Sequence, residues 1–294
     1  MVKLLAERAG AKINLFLRVT GRRADGYHEL DSIFLPIALA DSVSIEYRDG
    51  VGRSVRLLCD ATELGDPATN LASRAATAFQ NQFNLDASVL IRLDKRIPVG
   101  AGLGGGSSDA GAVLRMMARL ARIDAPAELH RIAISLGADV PFFLDPRPAR
   151  ITGIGEKLAT LEGIGSMPLV LALPPFGIAT AGVFRVLKKE NWRGPAEAAD
   201  IEAVRRGDIT SAIAVNDLAA VAAEQHPEIS TLIELLKSLG ACAAQMTGSG
   251  SAVFGIFGSR DEAERAAQAA QQRAPKTRFV VTATIGSDQR GTPK

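Results

Sequence analysis

The pattern of apolar and polar residues changes along the chain from alternation typical of strands to the spacing typical of helices. Alternating or β-branched apolar residues predict strands at residues 11–19, 30–37, 42–47, 54–58 and 88–93. Apolar residues three and four positions apart predict helices at residues 71–82, 107–122 and 128–136. Because strands mostly precede helices, this order favours a mixed α+β arrangement over a doubly wound parallel sheet.

The second half of the chain predicts a smaller sheet backed by helices. A continuous apolar run at residues 169–173 predicts a buried strand. It lies in an uncharged stretch, but the prolines and glycines there argue against a membrane-spanning helix. The remaining predicted elements alternate between helix and strand, at residues 227–239, 252–257, 261–272 and 278–285. We therefore predict two α+β domains, residues 1–160 and 161–294.

Composition and charge exclude several classes of partner. The 294 residues are 47% hydrophobic, which is ordinary for folded cores, and the net charge is only +2. With no dense block of basic residues and interleaved aromatics, we expect no nucleic-acid partner and no membrane partner. Cys59 and Cys242 lack metal-ligand spacing, and the N-terminus does not resemble a signal peptide. These features predict a cytoplasmic protein with reduced thiols, and they leave its oligomeric state open.

The segment of residues 98–110 has the composition of a phosphate-binding loop. Five glycines fall within residues 100–106 and allow backbone N–H groups to converge on an anion. A predicted helix begins at Ser107, and a helix N-terminus favours phosphate. Residues 94–98 separate the loop from the preceding strand, which argues against a dinucleotide fingerprint, and the chain has no G-x-x-x-x-G-K-S/T motif. A flexible linker is the other alternative, but linkers rarely continue directly into an apolar helix.

Three polar positions are candidates for chemistry. Lys12 begins an apolar strand, where a cation beside phosphates stabilises developing charge, although a solvated lysine is the ordinary alternative. Asp139 lies among apolar neighbours and is a candidate to hold a substrate hydroxyl, although a turn aspartate fits the spacing equally well. Tyr27 and His28 follow each other in a polar loop, where they suit stacking on and hydrogen bonding to a heterocycle.

Two further features are less specific. His130 and His226 have no metal-ligand partners at useful spacing, so we expect structural or solvated roles for both. The sequence Gly248-Ser249-Gly250 is equally consistent with a second anion-binding loop and with an ordinary turn before a strand.

Five segments in order along nearly the whole chain resemble one family of kinases. They are Ala-Lys-Ile-Asn-Leu at 11–15, Gly-Tyr-His at 26–28, the glycine loop at 98–110, Leu-Gly-Ala-Asp-Val-Pro at 136–141 and Thr-Gly-Ser-Gly at 247–250. The family belongs to the galactokinase, homoserine kinase, mevalonate kinase and phosphomevalonate kinase superfamily. The resemblance implies an N-terminal domain like ribosomal protein S5 domain 2, a ferredoxin-like C-terminal domain, and an active site in the cleft between them.

The resemblance also implies a reaction. ATP, accompanied by Mg²⁺, would phosphorylate the 2-hydroxyl of a cytidylyl methylerythritol to give the 2-phosphate and ADP, in the non-mevalonate route to isoprenoid precursors. By motif match, Asp139 would accept the hydroxyl proton, Lys12 would stabilise charge at the same centre, and Asn14 would help to hold the substrate. A sister kinase for another small alcohol and a non-catalytic nucleotide-binding relative are the alternatives, but the presence of both Lys12 and Asp139 favours catalysis.

Binding residues follow from the same resemblance. Tyr27 would stack on the cytosine, His28 would hydrogen-bond to it, Phe184 would close its other face, and Thr180 would lie beside the substrate. The positions that would contact ATP are Asn70, Leu71, Lys95, Pro98, Gly102, Leu103, Gly104, Gly105, Gly106, Ser107 and Ser108. The turn at residues 174–177, Pro-Pro-Phe-Gly, departs slightly from the family pattern just before Thr180 and Phe184. No carboxylate ligand for magnesium is identified, and Ser108 is the candidate hydroxyl ligand.

Overall fold

Residues 2–60 and 69–288 are described by a computed structural model of the chain. Within these ranges the strands form two sheets, and the first sheet has six strands in the order β3-β4-β2-β5-β6, with β1 paired to β2. Its strands are β1 (Val2–Arg22), β2 (His28–Asp49), β3 (Ser54–Cys59), β4 (Ala87–Asp94), β5 (Ala149–Gly153) and β6 (Lys157–Thr160).

The β1–β2 pair is a long antiparallel ribbon that runs from the pair Val2 and Arg48 to the pair Arg22 and His28. The sequence predicted two separate strands within β2, but the chain crosses residues 38–41 without a turn and continues as one strand. Register shifts between Gly10 and Lys12 and between Asn14 and Phe16 interrupt the ribbon. Such irregularities re-aim side chains locally, and here they bracket the two polar residues that β1 buries.

Three helices cover one face of the first sheet: α1 (Leu71–Gln82), α2 (Gly105–Ala121) and α3 (Pro126–Leu136). Their apolar faces pack with β2 and β4 in one buried cluster, in which Phe79 of α1 and Met116 of α2 are completely inaccessible. Asn70 begins α1 as its N-cap, and its Oδ1 accepts a hydrogen bond from the N–H of Ala72 at 2.9 Å. The helical periodicity of the sequence therefore located all three helices.

The second sheet is antiparallel, with four strands in the order β10-β7-β9-β8. These strands are β7 (Pro168–Leu173), β8 (Ala243–Met246), β9 (Val253–Ile256) and β10 (Arg278–Ala283). The helices of this half are α4 (Thr180–Val186), α5 (Ala198–Arg206), α6 (Ala219–Gln225), α7 (Glu228–Ser238) and α8 (Arg260–Arg273). Helices α7 and α8 pack against the sheet, as the predicted helix-backed arrangement requires.

A shared core joins the two sheets. Ile13 of β1 and Leu35 of β2 belong to the same buried cluster as Leu171 of β7 and Phe254 of β9. The segment that follows β10 is also joined to the first sheet, because the N–H of Ile285 donates to the carbonyl of Pro36 at 2.7 Å. This shared core fixes the cleft between the two halves. No helix in the described part of the chain is long and apolar enough to span a membrane.

Candidate active site

A cavity of about 470 Å³ opens between the two halves of the molecule. Its walls come from β1, the glycine loop before α2, the turn after α3, the start of α4 and the loop between β8 and β9. The residues selected from the sequence that line it are Lys12, Asn14, Asn70, Leu71, Lys95, Pro98, Gly102, Leu103, Gly104, Gly105, Gly106, Ser107, Asp139, Thr180 and Phe184. Segments more than two hundred residues apart in sequence thus meet at one site.

Three of the selected residues lie outside this lining. Tyr27 is 62% exposed at the tip of the β1–β2 ribbon. The ring of His28 stacks on Phe184, with ring centroids 5.3 Å apart, so it adjoins the cavity through that residue. Ser108 is buried, and its hydroxyl donates to the carbonyl oxygen of Gly10 at 2.6 Å. The hydroxyl of Ser108 is therefore directed into the protein and away from the cavity.

Lys12 and Asp139 form an ion pair at the cavity wall, with Nζ 3.5 Å from Oδ2. Lys12 is only 3% exposed, and burial lowers the pKa of its ammonium group while the charge of Asp139 opposes that change. The Asp139 side chain keeps 33% of its surface exposed, so a substrate can reach it. The pair places a carboxylate acceptor and a cation within reach of one bound hydroxyl group.

Local structure fixes both partners. Asp139 follows α3 in a turn that leads into the short 3₁₀ helix Pro141–Leu144, and Phe142 and Phe143 of that helix are buried. Lys12 Nζ donates to Asn14 Oδ1 at 2.6 Å, and Asn14 Nδ2 in turn donates to the hydroxyl of Ser32 at 2.9 Å. Asn14 therefore orients the ammonium group of Lys12 and lies beside it on the lining.

The first glycine loop presents the N-terminus of α2 to this ion pair. Gly104 is the N-cap in the left-handed region, with φ +72°, and no side chain caps the helix there. A Cβ at Gly104 would lie 2.9 Å from Phe143 and 3.2 Å from Lys12, so only glycine fits. The N–H groups of the first helical turn have no intrahelical acceptor, and with the helix dipole they favour an anion. Phosphate is the anion that such loops commonly bind.

A second glycine loop, residues 247–251, packs against the first. A Cβ at Gly102 would lie 2.2 Å from the carbonyl oxygen of Thr247, so the two backbones are in direct contact. Thr247 Oγ1 accepts a hydrogen bond from the N–H of Asn14 at 2.9 Å. Ser249 lines the cavity, and its hydroxyl lies 2.7 Å from that of Thr180. This segment, which the sequence left open, thus connects both sides of the site.

Sequence reasoning missed two carboxylates beside Lys95. Lys95 Nζ donates to Asp109 Oδ2 at 2.6 Å and also to Asp41, and all three side chains are at most 7% exposed. Asp41 also accepts a hydrogen bond from the N–H of Ile97 at 2.8 Å and so anchors the start of the glycine loop. Burial raises the pKa of Asp109 to about 7, although Lys95 acts in the opposite direction. The positive charge of Lys95 therefore faces these two carboxylates within the protein.

A signal for Asp109 was present in the sequence, since this residue directly follows the two serines of the glycine loop. Asp41 gave no comparable signal, because it falls between two predicted strands. Within residues 2–60 and 69–288 there is no group of three or more His, Cys, Asp or Glu side chains placed to hold a metal ion.

Comparison with known proteins identifies the family. Models described as "GHMP kinases N terminal domain" and "GHMP kinases C terminal" match residues 70–145 and 198–276. The 4-diphosphocytidyl-2-C-methyl-D-erythritol kinase of Anaeromyxobacter sp. (strain K) is 43% identical over 277 residues, covering 92% of this chain and 86% of that protein. The chain belongs to the 4-diphosphocytidyl-2-C-methyl-D-erythritol kinase family. The member from Syntrophotalea carbinolica is 38% identical over 278 residues, covering 93% of this chain and 96% of that protein.

A solved structure of this kinase family agrees with the fold. The crystal structure of 4-(cytidine 5'-diphospho)-2C-methyl-D-erythritol kinase has a TM-score of 0.82 and 35% identity, covering 96% of this chain and all of that one. The predicted two-domain α+β fold and the predicted class, an ATP-dependent phosphotransferase, are therefore confirmed. The roles of individual residues and the domain boundary near residue 160 stay predictions.

Proposed function

We propose that the protein transfers the γ-phosphoryl group of ATP to the 2-hydroxyl of 4-diphosphocytidyl-2-C-methyl-D-erythritol. The products are the 2-phosphate and ADP, and the reaction belongs to the non-mevalonate route to isoprenoid precursors. The observation that carries the proposal is the ion pair of Lys12 and Asp139. This pair faces the same cavity that the first glycine loop lines. The kinase relatives at 38% and 43% identity support the same assignment.

The ion pair supplies the acid–base chemistry of the transfer. Asp139 accepts the proton of the attacking hydroxyl while the new O–P bond forms and the bond from phosphorus to the ADP oxygen breaks. Lys12 stabilises the negative charge that develops on the attacking oxygen and on the transferring group. Asn14 holds Lys12 in place and contacts the substrate beside it. Burial strengthens these electrostatic interactions, because little water competes with them.

The glycine-loop end of the cavity fits ATP. The N–H groups at the start of α2 receive the phosphates, and Asn70, Leu71, Lys95 and Pro98 line the adjacent wall, which we assign to the nucleoside. Mg²⁺ would arrive with ATP, where it would neutralise phosphate charge and would need few protein ligands. Among the described residues, Asp139 and Asp109 are the carboxylates on the cavity lining, and both are paired with lysines.

The α4 end of the cavity fits the cytidylyl part of the substrate. We propose that Tyr27 and Phe184 flank the cytosine and that His28 hydrogen-bonds to the edge of this base. Thr180 then contacts the adjacent part of the substrate. Burial and the charge of Arg22 lower the pKa of His28, so its imidazole is neutral at pH 7 and both donates and accepts. Both substrates are small anions, and we propose that the reaction takes place in the cytoplasm, where ATP is available.

ADP release by the purified protein with Mg-ATP tests the proposal. The acceptors are 4-diphosphocytidyl-2-C-methyl-D-erythritol, the same alcohol without its cytidylyl group, homoserine and mevalonate. We expect activity with the cytidylyl compound alone. Activity with another of these alcohols would keep the kinase mechanism and overturn the substrate. ATP binding without activity on any acceptor would instead support a non-catalytic nucleotide-binding protein.

A further inference from the structure

Two aromatic rings hold the imidazole of His28. Phe184 stacks on it with ring centroids 5.3 Å apart and an interplanar angle of 29°. Trp192 meets it edge-on, with centroids 5.8 Å apart and an angle of 90°. Phe184 lines the cavity, whereas Trp192 is not part of the lining. Trp192 therefore adjoins the site through its contact with His28.

A buried carboxylate fixes the backbone next to Trp192. Asp217 Oδ2 accepts hydrogen bonds from the N–H of Val19, at 2.8 Å, and from the N–H of Arg193, at 3.0 Å. The Asp217 side chain is completely inaccessible to solvent. Val19 belongs to β1, and the end of β1 pairs with His28 through Arg22. Asp217 thus sets the position of Trp192 relative to the ribbon that carries His28.

Packing holds the indole ring itself. Trp192 is partly buried against the apolar core of the second half, alongside Val183 of α4 and Leu187. Its Nε1 is buried and has no acceptor among the described residues. The contribution of the indole is therefore its shape and its edge-on contact with His28, which favourable aromatic geometry stabilises.

We propose that Trp192 is a positioning residue that fixes the ring of His28 for recognition of the cytosine, and so determines the preference for a cytidylyl substrate. The inference rests on the function proposed above. An imidazole free to rotate presents either ring nitrogen to the base edge, whereas a ring held between two aromatic side chains presents one fixed arrangement. Cytosine and uracil differ in the donor and acceptor at that edge, so a fixed imidazole that keeps one tautomer discriminates between them.

The variants Trp192→Phe and Trp192→Leu test this role. We expect Trp192→Leu to raise KM for the cytidylyl substrate about 3- to 10-fold, the range expected for loss of an aromatic contact. The preference over the uridylyl counterpart should fall as well, while KM for ATP stays within about 2-fold of wild type. Trp192→Phe keeps a ring edge and should retain the preference. Val186→Ala, a change at a half-exposed apolar residue of α4, is the matched control and should behave as wild type.

The outcomes separate the two proposals. A wild-type protein that releases no ADP with the cytidylyl substrate refutes the proposed function, and this inference with it. An active wild type whose Trp192→Leu variant keeps the same base preference refutes the role of Trp192 alone. If Trp192→Leu raises KM for ATP and KM for the cytidylyl substrate equally, the role of Trp192 is merely structural, and the proposal is overturned.

Fluorescence of the wild type gives a measurement that does not depend on folding of a variant. Trp192 is the only tryptophan in the sequence. Adding 4-diphosphocytidyl-2-C-methyl-D-erythritol without ATP should change its emission saturably, because the base contacts the ring on which Trp192 packs. ATP alone should leave the emission unchanged. Calorimetric binding of the cytidylyl compound with no change in emission would overturn the proposal.

Discussion

Asp139 and Lys12 lie 3.5 Å apart, so replacement of the carboxylate changes both the acceptor of the proton and the environment of the cation. For Asp139→Asn we expect kcat to fall by about 10² or more, the loss typical of an acid–base group. The amide keeps the size of the side chain, so ATP binding should change little. Rapid-quench turnover together with calorimetric ATP binding measures the two effects separately.

Asp145→Asn is the matched control for this prediction. Asp145 lies six residues further along the chain, and its side chain is 69% exposed, outside the cavity lining. Its replacement should leave kcat within about 2-fold of wild type, as is usual for a surface change. Normal turnover in Asp139→Asn would remove this residue from the mechanism.

Asp109 predicts a pH dependence for the ATP site. Burial raises its pKa to about 7, so the carboxyl group is mostly neutral at pH 6 and mostly charged at pH 8. The added negative charge lies on α2 beside the proposed phosphate cradle and opposes ATP binding. We expect KM for ATP to rise about 3- to 10-fold from pH 6 to pH 8, the order expected for one partly screened charge.

The Asp109→Asn variant isolates this effect. Its side chain cannot ionise, so its KM for ATP should stay nearly constant where that of the wild type rises. Ionisation of ATP itself acts on both proteins equally and cancels in the comparison. Parallel pH profiles for the two proteins would contradict the assignment of this charge change to Asp109.

At individual residues, the sequence selected side chains that line the cavity, but it missed the contacts that support them. Resemblance to the kinase family selected Lys12 and Asp139, although position alone did not distinguish them from an ordinary surface lysine and turn aspartate. Asp41 was missed because its partner Lys95 lies 54 residues away and only the β2–β4 pairing brings the two together. The alternating pattern around a charged residue does not indicate a partner so distant in sequence.

The two glycine loops act as one unit, because their backbones touch. Gly102 has φ +74°, and a Cβ there would lie 2.2 Å from the carbonyl oxygen of Thr247. We expect Gly102→Ala to lower the free energy of unfolding through backbone strain of about 1–2 kcal/mol and a further 1–3 kcal/mol, roughly, from the clash. ATP binding should weaken too, since the first loop must move away from the second.

Gly163→Ala is the control for backbone strain. Gly163 has a similar φ of +79°, but no atom of the described part of the chain lies within 4 Å of a Cβ placed there. It should show the strain of about 1–2 kcal/mol without the clash and without weaker ATP binding. Denaturant unfolding and ATP titration of both variants provide the measurement. Equal destabilisation of the two proteins would show that the contact between the loops contributes nothing.

Among the elements, long periodic segments were predictable and short polar ones were not. Helix α1 has the bounds that its apolar spacing predicted. Strands β5, with five residues, and β6, with four, were missed because a few residues carry too little pattern. The first half of β1 was missed as well, since its exposed face alternates with half-buried positions and only pairing with β2 makes it a strand.

For the whole molecule, the shared core couples the two halves. Residues of both sheets, such as Leu35 of β2 and Leu171 of β7, lie in one cluster and are completely inaccessible. Neither half buries this apolar surface by itself, so separation would expose it to water. The two halves should therefore unfold together, even though the fold consists of two domains.

The substitution Leu171→Ala tests this coupling. A cavity in the shared core should lower the free energy of unfolding by about 2–5 kcal/mol. Because both halves use this core, two signals should shift to lower denaturant together: the emission of Trp192, in the second half, and far-UV circular dichroism, which reports on all elements. Coincident transitions in the wild type and in the variant indicate one cooperative unit. If the tryptophan transition shifted alone, the two halves would unfold independently, and the shared core would not couple them.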